Sequence, residues 1–178
     1  MKGQVREALR RSFARLLQED GSLFDCPIEE EFAYNARKLH EVCINHKLAN
    51  HLDRAILPLL AHEERMFVDI EFNREGLNYK QVRMAGEEKK LRPDIIIHNR
   101  RSDHEKRNFL VVECKKKGSL QTEIDEDQEK ILAMMEDERY EYSFGLQVVY
   151  GKRHIKAVLF SRNNAAIESE EILVTAND

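Results

Sequence analysis

Two apolar stretches in the middle of the chain decide its fold: PDIIIH at residues 93–98 and NFLVVECK at residues 108–115. Each is a continuous apolar run bounded by polar residues, which is typical of a central β-strand buried on both faces. The polar stretch between them, from Asn99 to Arg107, is short enough to be the loop of a hairpin. The sequence therefore predicts two neighbouring antiparallel strands at the centre of a sheet.

Helical and strand patterns flank this pair on both sides. Apolar residues at helical spacing predict helices, and a period of two or a short apolar run predicts strands. The predicted flanking elements are helices at 4–18, 27–57 and 123–138 and strands at 66–72, 144–150 and 154–160. The third helix directs Ile124, Ile131, Leu132 and Met135 inward. This order predicts an α/β chain of the α+β type, with a mixed central sheet flanked by helices.

Length and composition favour one globular domain with terminal additions. The chain has 178 residues, of which 42% are hydrophobic and 35% charged, so it can bury a core and is neither collagen-like nor disordered. We expect an N-terminal helical extension at 1–26, a domain at 27–160 and a C-terminal surface tail at 161–178. No apolar run approaches the roughly 18 residues that cross a bilayer, and the N-terminus lacks a signal-peptide pattern. The predicted location is cytoplasmic, with no membrane partner.

Charge is unevenly distributed along the chain. The net charge of -4 argues against a simple basic coat for nucleic acid. Between residues 86 and 117, however, ten Lys or Arg residues stand against six acids. A basic face is enough to hold phosphate groups, although solvated loops beside an acidic helix explain the pattern equally well. The candidate nucleic-acid-binding residues are Lys89, Lys90, Arg92, Arg100, Arg101, Lys106, Lys116 and Lys117.

Charged residues also occur where the central strands should be apolar. Asp94 opens the first strand, and Glu113 and Lys115 stand near the end of the second. Alternation places Glu113 and Lys115 on one face of the sheet and Cys114 on the other. Hairpin pairing brings Asp94 next to Glu113 and Lys115, and these three residues define the motif corner. Two carboxylates can hold a hard divalent cation, beside which a lysine can orient or deprotonate water. A buried ion-pair cluster without catalysis fits the same spacing.

This pattern resembles the signature of the PD-(D/E)XK restriction-endonuclease-like nuclease superfamily. The matching residues are Pro93 and Asp94, a spacer of eighteen residues, and then Glu113, Cys114 and Lys115. The stretches HEVCINHKLANHL, VDIEFNREG, RPDIIIHNR and FLVVECKK together look like small bacterial members of that superfamily. The resemblance covers about residues 38–160 and implies a restriction-endonuclease-like core of order αβββαβ, with the motif on its second and third strands.

The resemblance implies a metal-dependent nuclease that hydrolyses phosphodiester bonds, most readily in DNA. Asp94 and Glu113, with the backbone carbonyl of Cys114, would bind Mg²⁺, for which Mn²⁺ can substitute, and Lys115 would position the attacking water. Glu41 matches an acid that many members carry on the first core helix, where it supports the metal or holds a second one. The family often uses groups from the crossover helix, where Asp127, Gln128 and Lys130 stand without a basis for choosing among them.

Two other functions stay open at this stage. The chain can keep the fold without turnover, as a module that binds nucleic acid or a partner in a larger assembly such as a defence or mobile-element system. A purely structural ion cluster, in a subunit that forms a homodimer or binds another protein through the N-terminal helix, is the third interpretation. In the nuclease interpretation, we expect the turn carrying Arg100, Arg101 and Lys106 to lie close to the motif corner and to guide a nucleic-acid strand.

Overall fold

The computed structural model describes residues 1–24, 33–60, 65–75, 78–84, 86–101, 105–163 and 166–176. Within these ranges the chain forms three α-helices and ten β-strands. The helices are α1 (Lys2–Glu19), α2 (Ala33–Ile56) and α3 (Gln121–Glu136). The strands are β1 (Phe67–Ile70), β2 (Arg74–Glu75), β3 (Asn78–Tyr79), β4 (Gln81–Met84), β5 (Glu87–Lys90), β6 (Ile95–His98), β7 (Asn108–Lys116), β8 (Phe144–Tyr150), β9 (His154–Asn163) and β10 (Ala166–Thr175). None of the helices in these ranges is long and apolar enough to cross a membrane.

Six of the strands form one mixed sheet in the order β1-β6-β7-β8-β9-β10. β7 and β8 run parallel, and the other neighbouring pairs are antiparallel. A parallel pair needs a crossover, which here contains α3. The two central strands come from the stretches that the sequence identified, and their buried residues, such as Ile96 and Val111, confirm that prediction. The chain is therefore a mixed α+β fold.

Two hydrophobic clusters cover the two faces of this sheet. On one face α1 and α2 pack against alternate strand residues such as Ile97, Val112 and Val148. On the other face α3 packs against β7 and β8, where Ile131 meets Val111 and its neighbours. Each fully buried aliphatic side chain contributes about 1.5–3 kcal/mol through removal from water. Because both faces of the sheet are covered, the residues of β7 are buried on both sides. The end of this strand is therefore held in a fixed position.

The C-terminal segment is an edge strand of the sheet, so the prediction of a surface tail at 161–178 is wrong. β9 continues to Asn163, and β10 pairs with it along ten residues. Ile172 and Val174 of β10 are buried in the cluster that contains α1 and α2. Glu168 and Glu170 share the face of Ile172 and Val174, and Glu171 is on the other face, so acids interrupt the apolar alternation in the sequence.

The N-terminal helix belongs to the same core. α1 packs on α2 and on β9 and β10, and its apolar stripe, including Leu9 and Phe13, is fully buried within the chain. The stripe is therefore not available to a second subunit, and a partner would have to use the polar face of α1. The predicted start of the second helix at Pro27, and the predicted boundary between residues 26 and 27, lie outside the described residues.

Candidate active site

Asp94 and Glu113 face each other at the end of the two central strands. Ile95 pairs with Val112, and continuing this antiparallel register by one residue sets Asp94 directly opposite Glu113. Residues that are directly opposite in an antiparallel pair share a face of the sheet. Asp94 is also fixed to β7, because its Oδ2 accepts a 2.7 Å hydrogen bond from the backbone N–H of Cys114. The structure thus brings together the two carboxylates that the sequence selected.

Lys115 lies on the same face as Glu113. The side chain of Cys114 points the other way into the α1–α2 core, where its Sγ is 2.9 Å from the Tyr150 hydroxyl. Since neighbours along a strand alternate, Glu113 and Lys115 both point towards α3. This arrangement agrees with the alternation predicted from the sequence.

Asp127 of α3 is the residue that sequence reasoning did not single out. Its side chain is 1% exposed and pairs with two lysines: its Oδ2 lies 2.9 Å from Lys115 Nζ and its Oδ1 2.7 Å from Lys130 Nζ. A signal was present in the sequence, because Asp127 follows Ile124 by three residues and precedes Ile131 by four. An acid on the apolar stripe of a helix must be paired or solvated, and here two lysines pair it.

The carboxylates at this corner repel one another in a poorly solvated place. Burial raises the pKa of Asp94 from 3.8 to about 6, and the charges of Asp127 and Glu41 add to the rise, which the Cys114 N–H and Lys115 only partly offset. Burial also raises the pKa of Glu113 well above its ordinary range, and Asp94 and Asp127 reinforce that rise. The corner is therefore short of positive charge beside its two facing carboxylates.

Glu41 reaches the same corner from α2. It is half-buried, and its charge contributes to the raised pKa of both Asp94 and Tyr150. One helical turn further on, Asn45 Oδ1 accepts a 2.8 Å hydrogen bond from the Tyr150 hydroxyl. This buried bond fixes α2 against the end of β8. The third carboxylate predicted from the sequence is therefore within electrostatic range of the first two.

The donor set at this corner suits a small divalent cation held largely by water. No group of three His, Cys, Asp or Glu side chains within the described residues is placed to hold a metal ion. Mg²⁺ is usually bound through one or two carboxylates and retains several waters, so the facing pair Asp94 and Glu113 is a sufficient set. The backbone N–H of Cys114 donates to Asp94, which directly precedes β6. The N–H and the carbonyl of one strand residue point to the same side of the strand, so the Cys114 carbonyl also points towards Asp94. The residues present fit Mg²⁺ on the basis of these oxygen donors.

Lys115 is held as a cation in this arrangement. Although burial lowers the pKa of Lys115, the hydrogen bond and charge of Asp127 outweigh burial and raise the pKa above its ordinary value. A lysine that deprotonates water needs a lowered pKa. Of the two roles that the sequence suggested for Lys115, the raised pKa favours orienting water over deprotonating it.

The turn between the two motif strands lies at the wrong end of the sheet to guide a strand to this corner. From Asn108 to Lys115 the strand advances seven residues, or about 23 Å. The expectation that the turn lies close to the motif corner is therefore wrong. The loop of the hairpin is at one end of the two paired strands, and Asp94 and Glu113 are at the other end. The three candidate residues have local partners: Arg100 pairs with Asp69, Arg101 with Glu105, and Lys106 with the backbone carbonyl of Arg139.

The other basic candidates fall into two groups. Lys89 and Lys90 lie on β5, outside the main sheet, and Arg92 pairs at 3.5 Å with an acid that follows β1. Lys116 and Lys117 follow Lys115 directly, and the N–H of Lys117 donates to the carbonyl of Tyr150 at the end of β8. Lys116 and Lys117 continue the chain beyond Lys115, and Arg92 stands two residues before Asp94, so these three are the basic candidates next to the site.

Comparisons with family models, with curated proteins and with solved structures gave no match to this chain. The corner holds two facing carboxylates with raised pKa values, a protonated lysine and the acid that pairs with this lysine. Such a set can bind a cation and hold an anionic group beside that cation.

Proposed function

We propose that this chain is a metal-dependent nuclease that hydrolyses phosphodiester bonds, with DNA as the preferred substrate. The observation that carries the proposal is the placement of Asp94 opposite Glu113, with Lys115 on the same face two residues further along. Buried carboxylates that repel each other are costly to a fold, and a divalent cation between them would remove that cost. Such a cost to folding stability is typical of functional sites.

Each side chain has a role that follows from its position. Asp94 and Glu113 bind and orient Mg²⁺, with the Cys114 carbonyl as a third oxygen donor. Mg²⁺ bound there would polarise the scissile phosphate and offset the charge that builds on its oxygens. Lys115, kept protonated by Asp127, donates hydrogen bonds that orient the attacking water or a phosphate oxygen. Glu41 supports the cation from the α2 side.

The architecture supports assignment of this chain to the restriction-endonuclease-like fold. A helix precedes the antiparallel strands β1, β6 and β7, a crossover helix follows, and β8 then lies parallel to β7. This is the order that the PD-(D/E)XK resemblance implies, with the motif on the second and third sheet strands. Strands β2 to β5 form two small hairpins inserted before the motif.

One observation favours a catalytically silent module as the second candidate. Asp127 pairs with both Lys115 and Lys130, so the lysine of the motif already has a buried partner. A closed ion cluster of this kind can serve as a structural element in a chain that binds nucleic acid or a partner protein. In that case the cluster would remain intact when Mg²⁺ is added.

The two candidates separate when metal binding and turnover are measured on the same variants. In the nuclease, Asp94→Ala lowers both Mg²⁺ affinity and cleavage, because it removes a ligand. Lys115→Ala retains Mg²⁺ affinity and loses about a hundredfold or more in cleavage rate, which is the usual scale for a positioned catalytic group. Calorimetry with Mg²⁺ and cleavage of plasmid, single-stranded DNA and RNA give both quantities.

Lys115→Arg is the matched control for charge alone. A guanidinium keeps the charge but has a different shape and donor geometry, so we expect it to leave cleavage low. Full activity of this variant would show that Lys115 acts only as a charge. Unchanged Mg²⁺ affinity and cleavage in Asp94→Ala would contradict the proposed centre, and circular dichroism establishes that each variant is folded.

A further inference from the structure

An open groove lies on the α3 face of the sheet, beside the candidate active site. It has a volume of about 730 Å³. Its lining combines basic and apolar groups: Arg153, His154, Lys156, Leu173, Thr175 and Ala176. α3 covers β7 and β8 on this face, whereas the groove lies over β9 and β10. Leu173 is 54% exposed at its floor.

The sheet register places this groove level with Lys115. Lys115 pairs with Val149, Val149 with Lys156, and Lys156 with Leu173. Because paired residues share a face, all four point to the α3 side in one row across the sheet. Neighbouring strands are about 4.8 Å apart, so the backbones at Lys115 and Lys156 are separated by about 10 Å. That spacing corresponds to about three nucleotides of axial rise in a duplex strand.

The groove offers cations whose present partners are weak. Within the described part of the chain the exposed Arg153 guanidinium is paired with no acid. Lys156 is 3.5 Å from Glu171, and both side chains are more than half exposed, so water screens this pair and a phosphate can replace it. Lys117 is exposed in the turn just after β7, two residues beyond Lys115. Arg153 and Lys156 therefore present cations in the groove, and Lys117 presents one at the end of β7 next to Lys115.

We propose that Arg153, Lys156 and Lys117 bind the phosphate backbone of the nucleic-acid strand whose scissile bond lies at Asp94 and Glu113. This inference rests on the proposed nuclease function and names its substrate track. The groove is basic at its rim and apolar at its floor, so the rim contacts phosphates and Leu173 contacts the sugars. An acidic protein segment is the alternative occupant, and the experiment below distinguishes it from nucleic acid.

Binding can be measured without cleavage. The full chain carrying Glu113→Gln is titrated with a labelled DNA duplex in EDTA, over a series of NaCl concentrations, by fluorescence anisotropy. In this background, the groove variant carries Arg153→Gln and Lys156→Gln. The matched control, Arg101→Gln with Arg107→Gln, removes the same charge from the opposite end of the sheet.

Loss of two phosphate contacts should reduce the slope of log affinity against log salt by about 1.8 and weaken binding at least tenfold at low salt. The control variant should keep the parental slope. A parental slope in the groove variant, or an equal loss in the control, would overturn the proposal. A polyglutamate peptide that binds as tightly as DNA and loses as much affinity in the groove variant would assign the groove to an acidic protein instead.

Failure of this inference is distinguishable from failure of the proposed function. If metal-dependent cleavage by the wild-type chain depends on Lys115 while the groove variant in the wild-type background keeps the parental KM, the track is wrong and the nuclease stands. If the groove variant loses DNA binding but the wild-type chain cleaves no nucleic acid, the track stands and the chain binds without turnover.

Discussion

Asp94→Asn should stabilise this protein at neutral pH. Asp94 is half-buried just before β6, where it faces Glu113, and burial raises its pKa to about 6. A raised folded-state pKa means that the proton-bound carboxyl stabilises the fold. This contribution is fully present below the unfolded pKa of 3.8 and is lost as the pH rises through about 6. Asparagine has the same shape, can accept the Cys114 hydrogen bond, and does not ionise.

The magnitude follows from the size of the shift. A rise from 3.8 to about 6 is roughly two pKa units, and each unit is worth 1.36 kcal/mol. The wild-type chain should therefore lose about 3 kcal/mol of unfolding free energy relative to Asp94→Asn between pH 4 and pH 7.5. The coupling to Glu113 makes the two carboxyls titrate as a pair, so the loss is spread over a broader pH range than for a single group.

Urea unfolding followed by circular dichroism at several pH values measures this difference. Asp53→Asn, which removes an exposed carboxylate of α2, is the matched control and should run parallel to wild type. If Asp94→Asn also runs parallel to wild type within about 0.5 kcal/mol, Asp94 is not in a charge-deficient corner and gains nothing from a cation there.

Three further changes test the packing and charge around the site. Gly145→Ala should cost about 1–3 kcal/mol in urea unfolding, because its Cβ would lie 2.8 Å from the Sδ of Met135 under α3, and little change would contradict that packing. Asp127→Asn should lower the unfolding free energy by about 2–4 kcal/mol, since it leaves two half-buried lysines without their acid, and an unchanged value would show that the lysines find water instead. The hydrogen bond from Arg139 lowers the pKa of Asp137, so Asp137→Asn should cost about 1 kcal/mol at pH 7 in urea melts. That cost is fully present above the unfolded pKa of 3.8 and should be lost as the pH falls through the lower folded pKa, and a cost that does not change with pH would refute the ion pair.

The sequence predicted the centre of the sheet because its signals there are local. Ile95 to Ile97 and Leu110 to Val112 are apolar without interruption, and burial on both faces is the reason. The period of two then placed Glu113 and Lys115 on one face, and the hairpin placed Asp94 opposite. These inferences need only strand geometry and one turn.

The features that the sequence did not predict depend on contacts between distant segments. Glu168, Glu170 and Glu171 stand on both faces of β10 and interrupt the apolar alternation that ends in Ile172 and Val174. The basic turn was placed near the site because it adjoins the motif in sequence, although seven residues of β7 separate them in space. Asp127 is buried and pairs with two lysines, one of which, Lys115, lies on β7. Helical periodicity within α3 does not identify a partner on another element.

Cleavage of supercoiled plasmid by the purified full chain tests the proposed function most directly. The reaction is run in Mg²⁺ and in EDTA, with the Glu113→Gln chain in parallel as a control that removes one ligand and keeps its shape. We predict nicking in Mg²⁺ only, reduced by about a hundredfold or more in Glu113→Gln. Absence of Mg²⁺-dependent cleavage by the folded wild-type chain, or equal cleavage by both proteins, would contradict the account.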